Sequence, residues 1–149
     1  MLTARDIMNR DIITVTEEST IKELARILTS NQISGVPVIN DSGKLVGVVT
    51  ESDLIFQTKK VHIPTVITIL DSVFYLENPD KLGDEIKKMA GSKVKDILTS
   101  SPVTVTEETP LDEIATIMSE KNFHTLPVVN KETLVGVIGK KDIIRTLIS

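Results

Sequence analysis

At 149 residues the chain can form one compact unit or two closely packed halves, and its 17 basic against 21 acidic side chains argue against a nucleic-acid partner, which calls for a basic surplus. The absence of cysteine excludes disulfides, a thiol nucleophile and cysteine metal ligands. The charged opening Met1-Leu2-Thr3-Ala4-Arg5-Asp6 lacks the apolar run of a signal peptide, and no stretch is long enough to span a bilayer. A soluble, cytoplasmic protein with no membrane partner is the expectation.

In chain order, Ile12-Ile13-Thr14-Val15 is a β-branched run that predicts a strand. Thr20-Ile21-Lys22-Glu23 has the form of a helix capping box. Ile21, Leu24, Ala25 and Leu28 then give the i, i+3, i+4, i+7 stripe of an amphipathic helix. Two apolar runs follow, Val36–Ile39 and Leu45–Val49, separated by the turn chemistry of Asn40-Asp41-Ser42-Gly43-Lys44, which predicts a hairpin. A second helix should start near Thr50 and carry Leu54 and Ile55.

The same series then returns. Asp6-Ile7, Thr14–Glu18 and Pro37-Val38 reappear 90 positions later as Asp96-Ile97, Thr104–Glu108 and Pro127-Val128. Leu45-Val46-Gly47-Val48 and Asp53 reappear 89 positions later as Leu134–Val137 and Asp142, the turn being one residue shorter. Leu111, Ile114, Ala115 and Met118 repeat the helical stripe, and Thr109-Pro110 should start that helix, with proline at the first helical position. Each copy is a β-α-β-β-α unit of roughly fifty residues, too small to bury an adequate core alone, so the copies should pack on each other. The fold class is α/β (α+β), with small mixed sheets flanked by helices. Residues 1–56 form the first repeat, 57–93 an ordered insertion and 94–149 the second repeat. The insertion holds Val66–Leu70, Tyr75, His62 (to which no role is assigned) and a predicted short helix from Asp84 to Met89, with Gly91 at its C-cap.

Chemistry concentrates at Gly47-Val48-Val49-Thr50-Glu51-Ser52-Asp53, where a buried strand ends at a hydroxyl residue and a carboxylate follows three positions on. A hydroxyl at a helix start can donate to a phosphate, and a carboxylate one turn later can accept from the two hydroxyls of a ribose. The same residues also make a simple capping box, stabilising by about 1 kcal/mol. In the second copy, Gly136-Val137-Ile138-Gly139-Lys140-Lys141-Asp142, the carboxylate stays but Gly139 replaces the hydroxyl, while Lys140 and Lys141 are either solvated or a source of positive charge for a phosphate; the two sites should differ in affinity, the Thr50–Asp53 site being the stronger. His124, whose counterpart is Ser34, is a candidate phosphate contact at a strand entrance. No His, Cys or carboxylate cluster predicts a catalytic metal, and no hydrolytic triad is visible.

The duplicated unit, the Val36-Pro37-Val38 and Leu126-Pro127-Val128 pairs, the Gly-x-x-Thr-x-x-Asp ending and the Asp6-Ile7-Met8 start resemble a tandem pair of cystathionine-β-synthase (CBS) domains, a Bateman module, over residues 4–56 and 94–147. The resemblance implies pseudo-twofold packing and two clefts that bind adenosine derivatives: AMP, ADP, ATP or S-adenosylmethionine. It implies Asp53 on the ribose and Thr50 on a phosphate or ribose oxygen, with Ile13, Thr14, Val36 and Pro37 around the adenine. In the second cleft the equivalents are Val103, Thr104, Leu126, Pro127 and Asp142, with His124 toward the phosphate. The adenine nucleotide is then a regulatory ligand rather than a catalytic cofactor. A homodimer and an unidentified regulated protein are the expected partners. The rival reading is a structural dimerisation or interaction module with empty clefts; an enzyme is not expected.

Overall fold

The structure, a computed structural model, describes residues 1–56, 91–100 and 102–148. The predicted features of the insertion (Val66–Leu70, Tyr75, His62 and the 84–89 helix) lie outside these residues.

Each repeat forms as the patterning requires, with instructive departures. In the first, β1 (Val15–Thr16) pairs in parallel with β2 (Gly35–Ile39), which pairs antiparallel with β3 (Leu45–Thr50). The strand is shorter than Ile12–Val15 predicts: pairing begins at Val15↔Val38. Pro37, next along β2, has no N–H to extend the ladder, so Ile12–Thr14 stay outside it. Between β1 and β2 lies α2 (Ile21–Asn31), the fold's short opening helix α1 being Ala4–Ile7. The α2 capping box is complete: Glu23 N–H donates to Thr20 Oγ1 at 3.1 Å, and Thr20 N–H to Glu23 Oε2 at 3.2 Å. Its stripe buries Ile21, Leu24 and Leu28. In the hairpin turn Asn40 Oδ1 accepts from Ser42 N–H and Lys44 N–H, with Gly43 at φ 79°. A helix α3 over 51–56 follows.

The second repeat gives α4 (Leu111–Lys121), β5 (Thr125–Asn130), β6 (Thr133–Gly139) and α5 (Lys140–Arg145). Its first strand shrinks to a single parallel bridge, Val105↔Val128. Pro110 is the N-cap of α4 rather than its first residue, and Thr109 does not cap it. Thr109 instead closes the preceding turn, its Oγ1 accepting from Thr106 N–H at 3.1 Å. The open N–H of Leu111 donates to the carbonyl of Leu2, 3.0 Å away, at the far end of the sequence.

That bond belongs to an exchange between the repeats. The opening segment packs on the second repeat: Ala4 N–H donates to Thr109, Arg5 N–H to Glu107, and Asn9 bridges Val137. The matching segment packs on the first: Ile21 N–H donates to Ser92, Val94 N–H to Ser19, and Lys95 N–H to Glu17. Here a 3₁₀ turn over Val94–Asp96 replaces α1, and β4 (Thr99–Ser100) adds to β3, completing a sheet of order β1-β2-β3-β4. The side chains follow the backbone. Ala4 and Met8 complete the core of Val105, Ile114, Met118, Leu126, Val128 and Ile138, whereas Val94 completes that of Val15, Leu24, Leu28, Val36, Val38 and Val49. Exposed ion pairs line the same seams, Arg5 to Glu107 and Glu108 in one, Lys93 and Lys95 to Glu18 in the other.

Two predictions follow from these seams. Met8→Ala should cost about 2–5 kcal/mol. A Cβ at Gly136 would overlap Met8, so Gly136→Ala should destabilise wild type far more than it destabilises Met8→Ala. Denaturation midpoints showing simple additivity would contradict the exchange. The Lys93 hydrogen bond holds the Glu18 carboxyl below its usual range. A depressed carboxylate stabilises above its unfolded pKa and loses that contribution as pH falls through the folded one. Glu18→Gln should therefore be slightly less stable than wild type at neutral pH and indistinguishable from it at acid pH in thermal denaturation.

Candidate ligand-binding clefts

Where the repeats meet, the hairpin ends abut. Gly35 pairs with Thr50 in one repeat, Thr125 with Gly139 in the other, and Ser34 Oγ lies 3.4 Å from Thr125 Oγ1. The approach is close because residue 35 is glycine: a Cβ there would sit 2.8 Å from Thr125 Oγ1 and 3.0 Å from Thr50 Cγ2. Two clefts open at this junction, of about 470 Å³ and about 360 Å³, within the range of small-molecule sites. Ser34, Glu51, His124 and Thr125 form a wall common to both.

The pairing of motifs differs from the sequence expectation. Asp142 lies in the larger cleft with Ile12, Ile13 and Pro37, and Asp53 with Thr50 lies in the smaller one with Pro102 and Val103. Each acidic motif begins at a hairpin end that touches the other repeat, so it is delivered across the boundary to the other repeat's lead-in loop. The expected grouping of Asp53 with Ile13, and of Asp142 with Val103, is corrected accordingly.

Ile13, Pro37, Thr50, Asp53, Val103, His124 and Asp142 line the clefts, His124 facing both. Thr14, Val36, Thr104, Leu126 and Pro127 line neither. Val36 and Leu126 are fully buried in the two cores, on strands whose alternate residues face opposite ways. Sequence reasoning missed Asn9 and Asp11 of the first lead-in loop, and Arg145, whose position in the first repeat is Phe56. An i+3 spacing from Asp142 was the available signal for Arg145.

The two carboxylates are held differently. Thr50 N–H and Oγ1 both donate to Asp53 Oδ2, at 2.8 and 3.1 Å, so the capping box is real. Oδ1 of Asp53 accepts from no described residue and remains able to receive a ligand hydroxyl. Asp142 accepts from Gly139 N–H through Oδ2 at 2.7 Å and from Arg145 through Oδ1 at 2.9 Å. Among the described residues no cluster of His, Cys or carboxylates is arranged to hold a metal ion, and no helix is long and apolar enough to cross a membrane.

Two abutting β-α-β-β-α repeats with a ligand-sized cleft on either side of their junction define a paired-repeat binding fold. The CBS domain model matches residues 4–59 and 94–149, and the chain belongs to that family. It is 33% identical to an uncharacterized protein of Methanocaldococcus jannaschii, over 97% of this chain and 90% of the relative. It is likewise 33% identical to the chloroplastic CBS domain-containing protein CBSX1 of Arabidopsis thaliana, over 91% of this chain and 58% of that one. Among solved structures it is similar to CBSX2 in complex with AMP, with a TM-score of 0.74, 26% identity and coverage of 99% and 97%. It also resembles the CBS domain pair of protein MJ0100 in complex with 5′-methylthioadenosine and S-adenosylmethionine, with a TM-score of 0.70, 25% identity and coverage of 99% and 96%.

The junction makes a paired prediction. Gly35→Ala must displace Thr125 or Thr50 and should cost about 1–3 kcal/mol. A Cβ at Gly139 meets nothing nearer than 3.7 Å, so Gly139→Ala should cost only what a poorer N-cap costs, about 0.5–1 kcal/mol, and less than Gly35→Ala. Equal effects in chemical denaturation would contradict the abutting hairpin ends.

Proposed function

We propose that this chain is a regulatory, non-catalytic module that binds adenine nucleotide in the clefts between its CBS repeats. The observation that carries the reading is the recurrence, in both clefts, of the aspartate that closes a capping box in company with apolar residues of the other repeat. Asp142 stands with Ile12, Ile13 and Pro37, and Asp53 with Pro102 and Val103. An apolar slot takes the faces of a purine, and an anchored carboxylate takes the ribose diol. AMP in the CBSX2 structure supports the choice of ligand. A second reading, a sensor of S-adenosylmethionine or 5′-methylthioadenosine, draws support from the MJ0100 complex, since both ligands present the same adenosine.

Regulation requires that the ligand favour one of two states. Each cleft joins parts of both repeats, so occupancy favours their packed arrangement, and an unidentified protein that contacts the module would read that change. A second copy is the other partner we propose. Ile55 and Phe56 at one helix, with Ile144, Leu147 and Ile148 at and after its counterpart, are large exposed apolar residues, and twofold pairing would cover both sets. Sedimentation should show a dimer at micromolar concentration; a monomer with and without nucleotide would contradict it.

Calorimetric titration with two adenosine ligands, AMP and 5′-methylthioadenosine, tests the binding itself. Asp53→Ala and Asp142→Ala each remove hydrogen bonds to a charged acceptor, worth about 1.5–3 kcal/mol apiece, so affinity at the altered cleft should fall at least tenfold. Asp53→Ala also loses its cap, and circular dichroism should show the fold intact. No binding to wild type would leave the rival, a structural dimerisation module.

A further inference from the structure

The two clefts share a wall and a carboxylate motif, but not their charge. In the larger cleft Lys140, Lys141 and Arg145 accompany Asp11, Glu51 and Asp142. In the smaller, Lys121 stands alone with Glu51 and Asp53, beside Val48, Val103 and Phe123. The difference arises where the repeats diverge: Glu51, Ser52 and Phe56 of the first copy stand where the second has Lys140, Lys141 and Arg145.

Arg145 adds a second distinction. It donates to Asp142 Oδ1 at 2.9 Å, on the oxygen a ribose hydroxyl would use, although the arginine is 69% exposed and the carboxylate 14%. A neutral nucleoside in that cleft meets a carboxylate already engaged by a cation. An anionic one meets three cationic side chains, Lys140, Lys141 and Arg145. Asp53 carries no such partner: its Oδ2 takes the Thr50 cap and its Oδ1 faces no described donor.

Resting on the nucleotide reading above, we propose that the clefts are sorted by ligand charge. The Asp142 cleft takes a phosphorylated adenosine, through Lys140, Lys141 and Arg145. The Asp53 cleft takes an adenosine whose 5′ substituent carries no phosphate. The module then reports two pools at once, and the charge at residues 140, 141 and 145 sets which cleft answers to which.

The test is calorimetry with AMP and, separately, 5′-methylthioadenosine, on the full chain and on the variants Lys140→Ala/Lys141→Ala, Arg145→Ala and Asp53→Ala. AMP affinity should fall at least tenfold in the double-lysine variant and fall with added salt, while 5′-methylthioadenosine affinity stays within twofold. Arg145→Ala should also weaken AMP and leave 5′-methylthioadenosine unchanged. Asp53→Ala should give the converse, losing 5′-methylthioadenosine and keeping AMP. Lysine variants that bind AMP as wild type does, or that lose both ligands equally while thermal denaturation shows them folded, overturn the sorting but leave the nucleotide reading intact. Failure of wild type to bind either ligand overturns both.

Discussion

The reciprocal exchange of the two lead-in segments is the constraint on which the rest depends. Ala4 and Met8 lie in the core of the second repeat, and Val94 lies in the core of the first. Neither half can close its core with its own residues, so folding of one is coupled to docking on the other. Burying Met8 and Val94 stabilises by about 1.5–3 kcal/mol each, a large part of the margin available to a domain of this size. The ion pairs along the same seams are exposed and contribute little beside that burial.

From this coupling the clefts follow. With the halves locked, the hairpin ends meet at Gly35 and Thr125, and the aspartate that follows each hairpin end lines a cleft with lead-in residues of the other repeat. Each cleft therefore draws its capping aspartate from one repeat and lead-in residues from the other. A ligand that touches both bridges two units whose association is already obligatory. Its leverage falls on their relative arrangement rather than on either core.

Much of this was legible in the sequence, for local reasons. The Thr20–Glu23 box, the Asn40–Lys44 turn and the helical stripes are short-range devices whose residues choose their own partners, and they stand as expected. The Thr50–Asp53 cap was legible too, along with the carboxylate at each cleft. The exchange was not. Because the copies carry the same pattern, Asp6-Ile7-Met8 is as compatible with its own repeat as with the other, and periodicity does not distinguish the two. The grouping of Asp53 with Ile13 failed for that reason. Val36 and Leu126 line neither cleft because their side chains are buried in the two cores; only Pro37 of the flanking prolines lines a cleft. Arg145 escaped notice because it lies where the repeats stop matching, opposite Phe56.

The central claim is that one ligand is held by both repeats, its ribose on the carboxylate of one and its base against the lead-in loop of the other. A crystal structure of the chain grown with AMP tests it most directly. The account predicts adenine against Ile13 and Pro37 with the ribose on Asp142. Base and ribose held within a single repeat, or AMP bound away from the junction of Ser34 and Thr125, would contradict it.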